Sequence, residues 1–179
     1  MVTAPEVLVV LGAFVGMEAV SYLAHRFLMH GPGMGWHRSH HVQTEGPFEK
    51  NDLYPLTASS VAISAFALGT WGPQVRPLVL VGAGMTLYGL SYLFVHEVYI
   101  HGRLGSGRLG SPTVRPGAPA APPRGVPRVL ERLKDAHRIH HLFGGEPYGM
   151  LLPIVPRALR ERAAATPRDP FCERERVSA

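Results

Sequence analysis

The chain has 179 residues, of which 46% are hydrophobic, and a formal net charge of +5 at pH 7. Its single cysteine, Cys172, excludes a disulfide framework and a cysteine-ligated metal cluster. The positive charge alone would allow a nucleic-acid partner. However, the basic residues lie beside long apolar runs and lack interleaved aromatic residues, so anionic lipid headgroups are the better interpretation and nucleic acid is not expected.

Three apolar runs dominate the first hundred residues. Residues 7–24 are apolar except for Glu18, and residues 53–72 and 77–95 carry no charge. Each run approaches the roughly 20 residues that cross about 30 Å of hydrocarbon. The runs predict an all-α integral membrane bundle with three transmembrane helices, or four if a segment near 143–156 also enters the membrane. Buried helices of a soluble protein are the alternative, and the first run is expected to be retained because it lacks a signal peptide's basic start.

The distribution of positive charge predicts the orientation. Arg26, Arg38 and Lys50 lie between the first and second runs, only Arg76 lies between the second and third, and the other fourteen lysines and arginines follow the third run. Since positive residues concentrate on the cytoplasmic side, the first loop and the C-terminal part are predicted to be cytoplasmic.

The chain divides by composition into four segments. Residues 1–103 hold the predicted membrane helices, and residues 104–127 form a Gly/Pro-rich linker. Residues 128–156 begin with a predicted amphipathic cytosolic helix from Val129 to Phe143. Residues 157–179 form a charged tail that is expected to fray, and it is assigned no role.

All ten histidines fall into one two-part pattern that is written twice, His-x4-His followed by His-x2-His-His. The first copy comprises His25, His30, His37, His40 and His41. The second copy comprises His96, His101, His137, His140 and His141. Histidines used only for packing or solubility would scatter along the chain. Their confinement to a duplicated spacing therefore indicates a demand for imidazole itself, most commonly a metal centre capping the cytosolic ends of the helices.

Helical geometry suits the triplets better than the pairs. Successive residues turn by about 100°, so His40 and His41 lie roughly 60° and 40° to either side of His37, and all three share a face. Five residues give about 140°, so His25 and His30 can meet one metal only if the helix unwinds between them or if they reach around its end. A Gly-Pro-Gly segment follows His30, which predicts a helix end there.

The number of histidines bears on the metal. Two six-coordinate ions offer about twelve positions, so ten imidazoles would leave roughly two for water or dioxygen. Zinc prefers about four ligands, and catalytic zinc sites usually use three protein groups. The set therefore favours a redox-active pair such as iron, although the ligand type also allows copper.

Acidic residues near the histidines are candidates for orienting the ligands. Glu18 precedes His25 by two helical turns and could accept the free N–H of its imidazole, or it could make a structural polar contact. Asp135, two residues before His137, and Glu97, beside His96, are weaker candidates. Asn51 is expected to be a helix N-cap together with its neighbour Asp52.

Four stretches carry a family resemblance: HRFLMHGPGMGWHRSHH, GPFEKNDLYP, GAGMTLYGLSYLFVHEVYIHGR and AHRIHH. They resemble the bacterial non-haem β-carotene 3-hydroxylases, which belong to the fatty acid hydroxylase and sterol desaturase superfamily of membrane di-iron enzymes. The resemblance covers roughly residues 14–103 and 135–155. Trp36 and the stretch around Asn51 narrow it from the superfamily to the carotenoid hydroxylases, whereas the Gly/Pro-rich connector 104–127 departs from the family.

The resemblance implies a monooxygenase in which all ten histidines hold two iron ions and dioxygen is the cosubstrate. Its substrate would be a carotenoid dissolved in the bacterial inner membrane, oxidised at carbon 3 of a β-ionone ring to a xanthophyll such as zeaxanthin. Ferredoxin or a similar protein would supply electrons at a cytoplasmic active site. Alternatives are the same chemistry on a fatty acyl chain or sterol, a non-catalytic membrane metal-binding or transport protein, and a zinc hydrolase.

Overall fold

The computed structural model describes residues 3–42, 48–103, 127–152 and 154–166. Every regular element in these ranges is helical, in agreement with the predicted all-α class. The chain divides into two compact units, Met1–Leu93 and Phe94–Ala179.

Six α-helices follow one another in the described part of the chain. They are α1 (Ala4–Leu23), α2 (Met34–His41), α3 (Leu53–Gly69), α4 (Pro77–Tyr92), α5 (Arg128–Phe143) and α6 (Arg157–Ala164). A short 3-10 helix, Lys50–Asp52, precedes α3. Two π-helical segments extend α1 and α4 at their C-terminal ends, Ala24–Met29 and Leu93–Ile100.

In the first unit α4 packs against both α1 and α3. The contacts depend on two glycines of α4. A Cβ atom at Gly84 would lie 2.4 Å from the backbone oxygen of Val10 on α1, and one at Gly82 would lie 3.2 Å from that of Ala62 on α3. Small residues at these positions let the helix backbones approach closely, which is how helices associate in a membrane.

Two helices among the described residues are long and apolar enough to cross a membrane. They are Ala4–Met29, with 26 residues and mean hydropathy 2.0, and Pro77–Ile100, with 24 residues and mean hydropathy 1.8. Each consists of an α-helix and its π-helical extension. The other predicted span does form a helix, but α3 has only 17 residues and is therefore about 26 Å long.

Most apolar side chains of α1 face outward. Leu8, Leu11 and Val15 are 67%, 53% and 67% exposed, whereas Glu18 and His25 are buried. A helix with an apolar exterior and polar groups on its packed face suits a lipid surrounding.

In the second unit α5 packs its apolar face onto the π-helical segment of residues 93–100. Leu133 forms a buried cluster with Val95, Tyr99 and Ile100. Tyr99 also donates a hydrogen bond to Glu131 of α5. The predicted amphipathic helix from Val129 to Phe143 is thus confirmed as a helix.

The remaining predicted segments are only partly described. The linker predicted at 104–127 lies outside the described residues except for Pro127, and so does the tail from 167 onward, including Cys172. The start of the tail forms α6, in which Ala163 is buried. The predicted boundaries at 103 and 128 stay predictions.

The glycine contact between α1 and α4 gives a test of the packing. Gly84→Ala should destabilise the protein by about 1–3 kcal/mol, because its new methyl group would overlap the α1 backbone. Gly89→Ala, on the same helix with nothing within 4 Å of its Cβ position, is the matched control. Unfolding of both variants in detergent would be compared with the wild type, and equal stability of the two would contradict the close approach.

Candidate metal centre

The two π-helical turns bring the His-x4-His pairs together. The backbone N–H of His30 donates to the oxygen of His25, and that of His101 donates to the oxygen of His96, both over 3.0 Å. These are bonds between residues five apart, which widen the helix so that the paired side chains no longer diverge by the α-helical angle. The ring centroids lie 5.1 Å apart in the first pair and 4.7 Å apart in the second.

The sequence predicts two ways to bring each pair together, an unwound helix or a reach around the helix end, and the structure shows neither of them. Instead, the helix stays hydrogen-bonded through a wider turn and then ends, because His30 is the C-terminal cap of its π-helical segment. The predicted helix end after His30 is therefore confirmed. π-Helical turns are rare in proteins overall, and those that occur are often found at functional sites.

In the first unit four histidines form a compact donor cluster. The four are His25, His30, His37 and His41. Each contributes one ring nitrogen, and these nitrogens all lie within 4.8 Å of one another. His37 is central, since its Nε2 lies 3.1 Å from the Nε2 atoms of both His25 and His41. The ring of His40 stacks beside it at 5.5 Å and 29°.

The second unit repeats this geometry. Ring nitrogens of His101, His137 and His141 also lie within 4.8 Å of one another. His137 is central, with its Nε2 2.9 Å from that of His101 and 2.8 Å from that of His141. His140 stacks on His137 at 5.7 Å and 28°, and the ring of His96 lies 4.5 Å from that of His137. The duplicated spacing in the sequence thus produces a duplicated local structure.

The nitrogen distances fit metal ligands. Two nitrogens about 2.1 Å from one ion lie about 3.0 Å apart when they bind at right angles, and about 3.4 Å apart in a tetrahedral site. The four observed separations between Nε2 atoms, 2.8–3.1 Å, match the right-angled case. These separations are compatible with imidazoles that bind a common metal ion.

Two of the clustered histidines, His37 and His140, are held from behind through Nδ1. His37 Nδ1 lies 2.8 Å from Asn51 Oδ1, and His140 Nδ1 lies 2.6 Å from the backbone oxygen of Gly145. Because an amide or backbone oxygen only accepts, each ring donates its Nδ1–H and keeps the Nε2 lone pair for a metal.

Burial also favours the neutral form of the histidines, which is the form that can bind a metal. Nine-tenths or more of the surface is buried in His25, His37, His40, His96, His137 and His140. Desolvation lowers the pKa of His30 below its ordinary value, so the neutral imidazole that can bind a metal is favoured.

The acidic candidates differ in position. Glu18 is buried and accepts a 2.8 Å hydrogen bond from the hydroxyl of Tyr88, which crosses from α4 to α1. Asp135 lies on the exposed face of α5, whereas His137 on the same helix is buried. A role of Glu18 or Asp135 in orienting a ligand stays a prediction.

The sequence interpretation missed the role of the segment from Glu49 to Tyr54. Asn51 bonds His37 instead of capping a helix, while Asp52 accepts from the backbone of Glu49. Glu49 itself lies 3.4 Å from His40, and Tyr54 donates to the backbone oxygen of Gly33. In the sequence, the signal for this role was a polar asparagine close to the start of an apolar helix.

A family model described as fatty acid hydroxylase matches residues 10–160. The chain therefore belongs to the fatty acid hydroxylase family and is an enzyme.

Within that family its relatives include a beta-carotene hydroxylase of Pantoea ananas, 39% identical over 168 residues, which are 88% of this chain and 85% of that protein. A beta-carotene hydroxylase of Pseudescherichia vulneris is 36% identical, with 90% and 86% covered. A beta-carotene hydroxylase of a Paracoccus strain is 37% identical, with 77% and 75% covered. No solved structure matches the chain.

The bond between Tyr88 and Glu18 can be tested for its contribution to stability. Tyr88→Phe should lower the free energy of unfolding by about 1–3 kcal/mol, because the buried Glu18 loses this donor. Bound metal per chain should not change. Tyr22→Phe, which loses an exposed hydrogen bond from Arg26, should shift stability by no more than about 0.5 kcal/mol. Loss of metal from the Tyr88 variant without loss of stability would contradict this assignment.

Proposed function

We propose that this protein hydroxylates carbon 3 of the β-ionone rings of a carotenoid, converting β-carotene towards zeaxanthin with oxygen from dioxygen. One observation carries the proposal. The duplicated histidine clusters that suit metal binding lie in a chain 36–39% identical to beta-carotene hydroxylases over most of its length.

The ten histidines are proposed to hold two iron ions. Support comes from the donor number, the short Nε2 separations and the buried outer partners of the rings. Bound iron would supply the activation of dioxygen that hydroxylation of an unactivated carbon requires. The protein's own task is to hold neutral imidazoles in place and to keep water from the reacting ring.

A membrane location is proposed on the basis of the two long apolar helices and the exposed apolar surface of α1. We infer that α3 is a third span, since its 17 residues include no charged side chain. The enzyme would lie in the bacterial inner membrane with its histidines at the cytoplasmic face, because Arg26, Arg38 and Lys50 flank the first cluster.

Substrate access is proposed to be lateral, from the bilayer. A carotenoid is an apolar polyene that dissolves in lipid, and α1 with its π-helical extension presents exposed Val15, Leu23 and Phe27 towards that surrounding. Electrons would come from ferredoxin or a similar donor. The excess of basic residues on the proposed cytoplasmic side would attract an acidic protein.

Hydroxylation of another lipid is the second candidate function, because the description of the matching family names fatty acids as the substrates. Cells that make β-carotene and express the chain would separate the two. More polar pigments are expected by chromatography. Unchanged carotene together with newly hydroxylated acyl chains would reject the carotenoid assignment.

Two histidine variants test the metal assignment in the same cells. His40→Ala and His140→Ala should each abolish pigment hydroxylation and lower the iron content of the purified protein, since both rings are buried within the clusters. Ser59→Ala on α3, where the side chain is exposed, should retain both properties. Full activity in either histidine variant would reject its role as a ligand.

A further inference from the structure

Glu97 is a buried acid between a ligand histidine and an arginine. Its side chain is only 8% exposed, with Oε1 2.7 Å from His96 Nδ1 and Oε2 2.6 Å from Arg103 Nη1. A buried carboxylate is costly unless it is paired and hydrogen-bonded. Arg103 pairs with one carboxylate oxygen of Glu97, and the other oxygen accepts the Nδ1–H of His96.

The backbone after the second π-helical segment makes this arrangement possible. Gly102 has a φ of +64°, in the left-handed region that side chains disfavour. The chain therefore turns back, and the N–H of Arg103 donates to the backbone oxygen of Glu97 over 2.8 Å. Backbone and side chain of Arg103 thus both bind Glu97.

In the first unit the group behind the central histidine, His37, is neutral. Asn51 is 3% exposed, accepts from His37 Nδ1 over 2.8 Å, and donates its backbone N–H to Ser39 Oγ over 3.1 Å. An amide oxygen attracts the Nδ1 proton less strongly than a carboxylate does.

We propose that Asn51 and the Glu97–Arg103 pair are positioning residues that give His37 and His96 unequal donor strength. The carboxylate makes His96 the more basic, electron-rich ligand, and the amide leaves His37 the weaker donor. The inference rests on the iron-binding part of the proposed function and does not depend on the substrate.

Reciprocal isosteric substitutions in the full-length protein test this difference. Glu97→Gln replaces the charged acceptor with a neutral one, and Asn51→Asp does the reverse, while both keep an oxygen facing the ring. Electron-rich ligands stabilise the oxidised metal, so Glu97→Gln should raise the midpoint potential of the bound iron and Asn51→Asp should lower it. Iron per chain should stay at the wild-type value.

Truncation tests the positioning role separately. Glu97→Ala and Asn51→Ala remove the acceptor, and iron affinity, measured by competition with a chelator, should fall roughly 10- to 100-fold. The matched control is Arg157→Gln, which breaks an ion pair of similar length, 2.7 Å to Glu161, on an exposed surface of the second unit. It should change neither potential nor affinity.

The proposal would be overturned if the midpoint potentials of both isosteric variants shifted in the same direction or did not shift. Alanine variants that bind iron as tightly as the wild type would also overturn it. The isosteric pair decides the outcome if the truncated variants do not fold. Wild-type protein that binds iron but leaves β-carotene unchanged would reject only the proposed substrate. Wild-type protein that binds no iron would reject both proposals.

Discussion

The convergence of neutral imidazoles at the ends of apolar helices is the constraint on which the site depends. A metal ion requires each Nε2 lone pair to point inward, while the α-helix separates residues five apart by about 140°. The π-helical turns at His25 and His96 remove this conflict, because their bonds between residues five apart bring the paired rings within about 5 Å. The α2 and α5 triplets then add their central rings, His37 and His137.

Polar groups in an apolar surrounding have to be satisfied, and several of the described ones serve the packing or the histidines. Tyr88 bonds Glu18 between α4 and α1, where Gly84 lets the two helices meet. The segment before α3 supports the first cluster, with Asn51 on His37 and Tyr54 on the turn at Gly33. This explains why a polar stretch directly precedes an uncharged helix.

The two copies of the histidine pattern share their inner geometry and differ in their outer partners. The central rings stack on their neighbours at 29° and 28°, and their Nε2 separations agree within a few tenths of an ångström. Behind the rings, His37 faces the amide of Asn51, whereas His96 faces the Glu97–Arg103 ion pair. The part that repeats is thus the inner geometry of the rings, and the groups behind the rings differ.

The amino-acid sequence by itself determined the helical class, the family and the duplicated spacing of the ten histidines. The length of an apolar run and the spacing of residues are local properties, and they can be recognised without knowing any tertiary contact. The sequence also placed the helix end after His30 and the helix that carries His137. Only the tertiary structure decided that the paired histidines meet through a π-helical turn, that Asn51 bonds His37, and that Arg103 folds back onto Glu97. These contacts join residues whose separation in the chain carries no periodic signal, and their geometry depends on packing and backbone conformation that a sequence pattern does not encode.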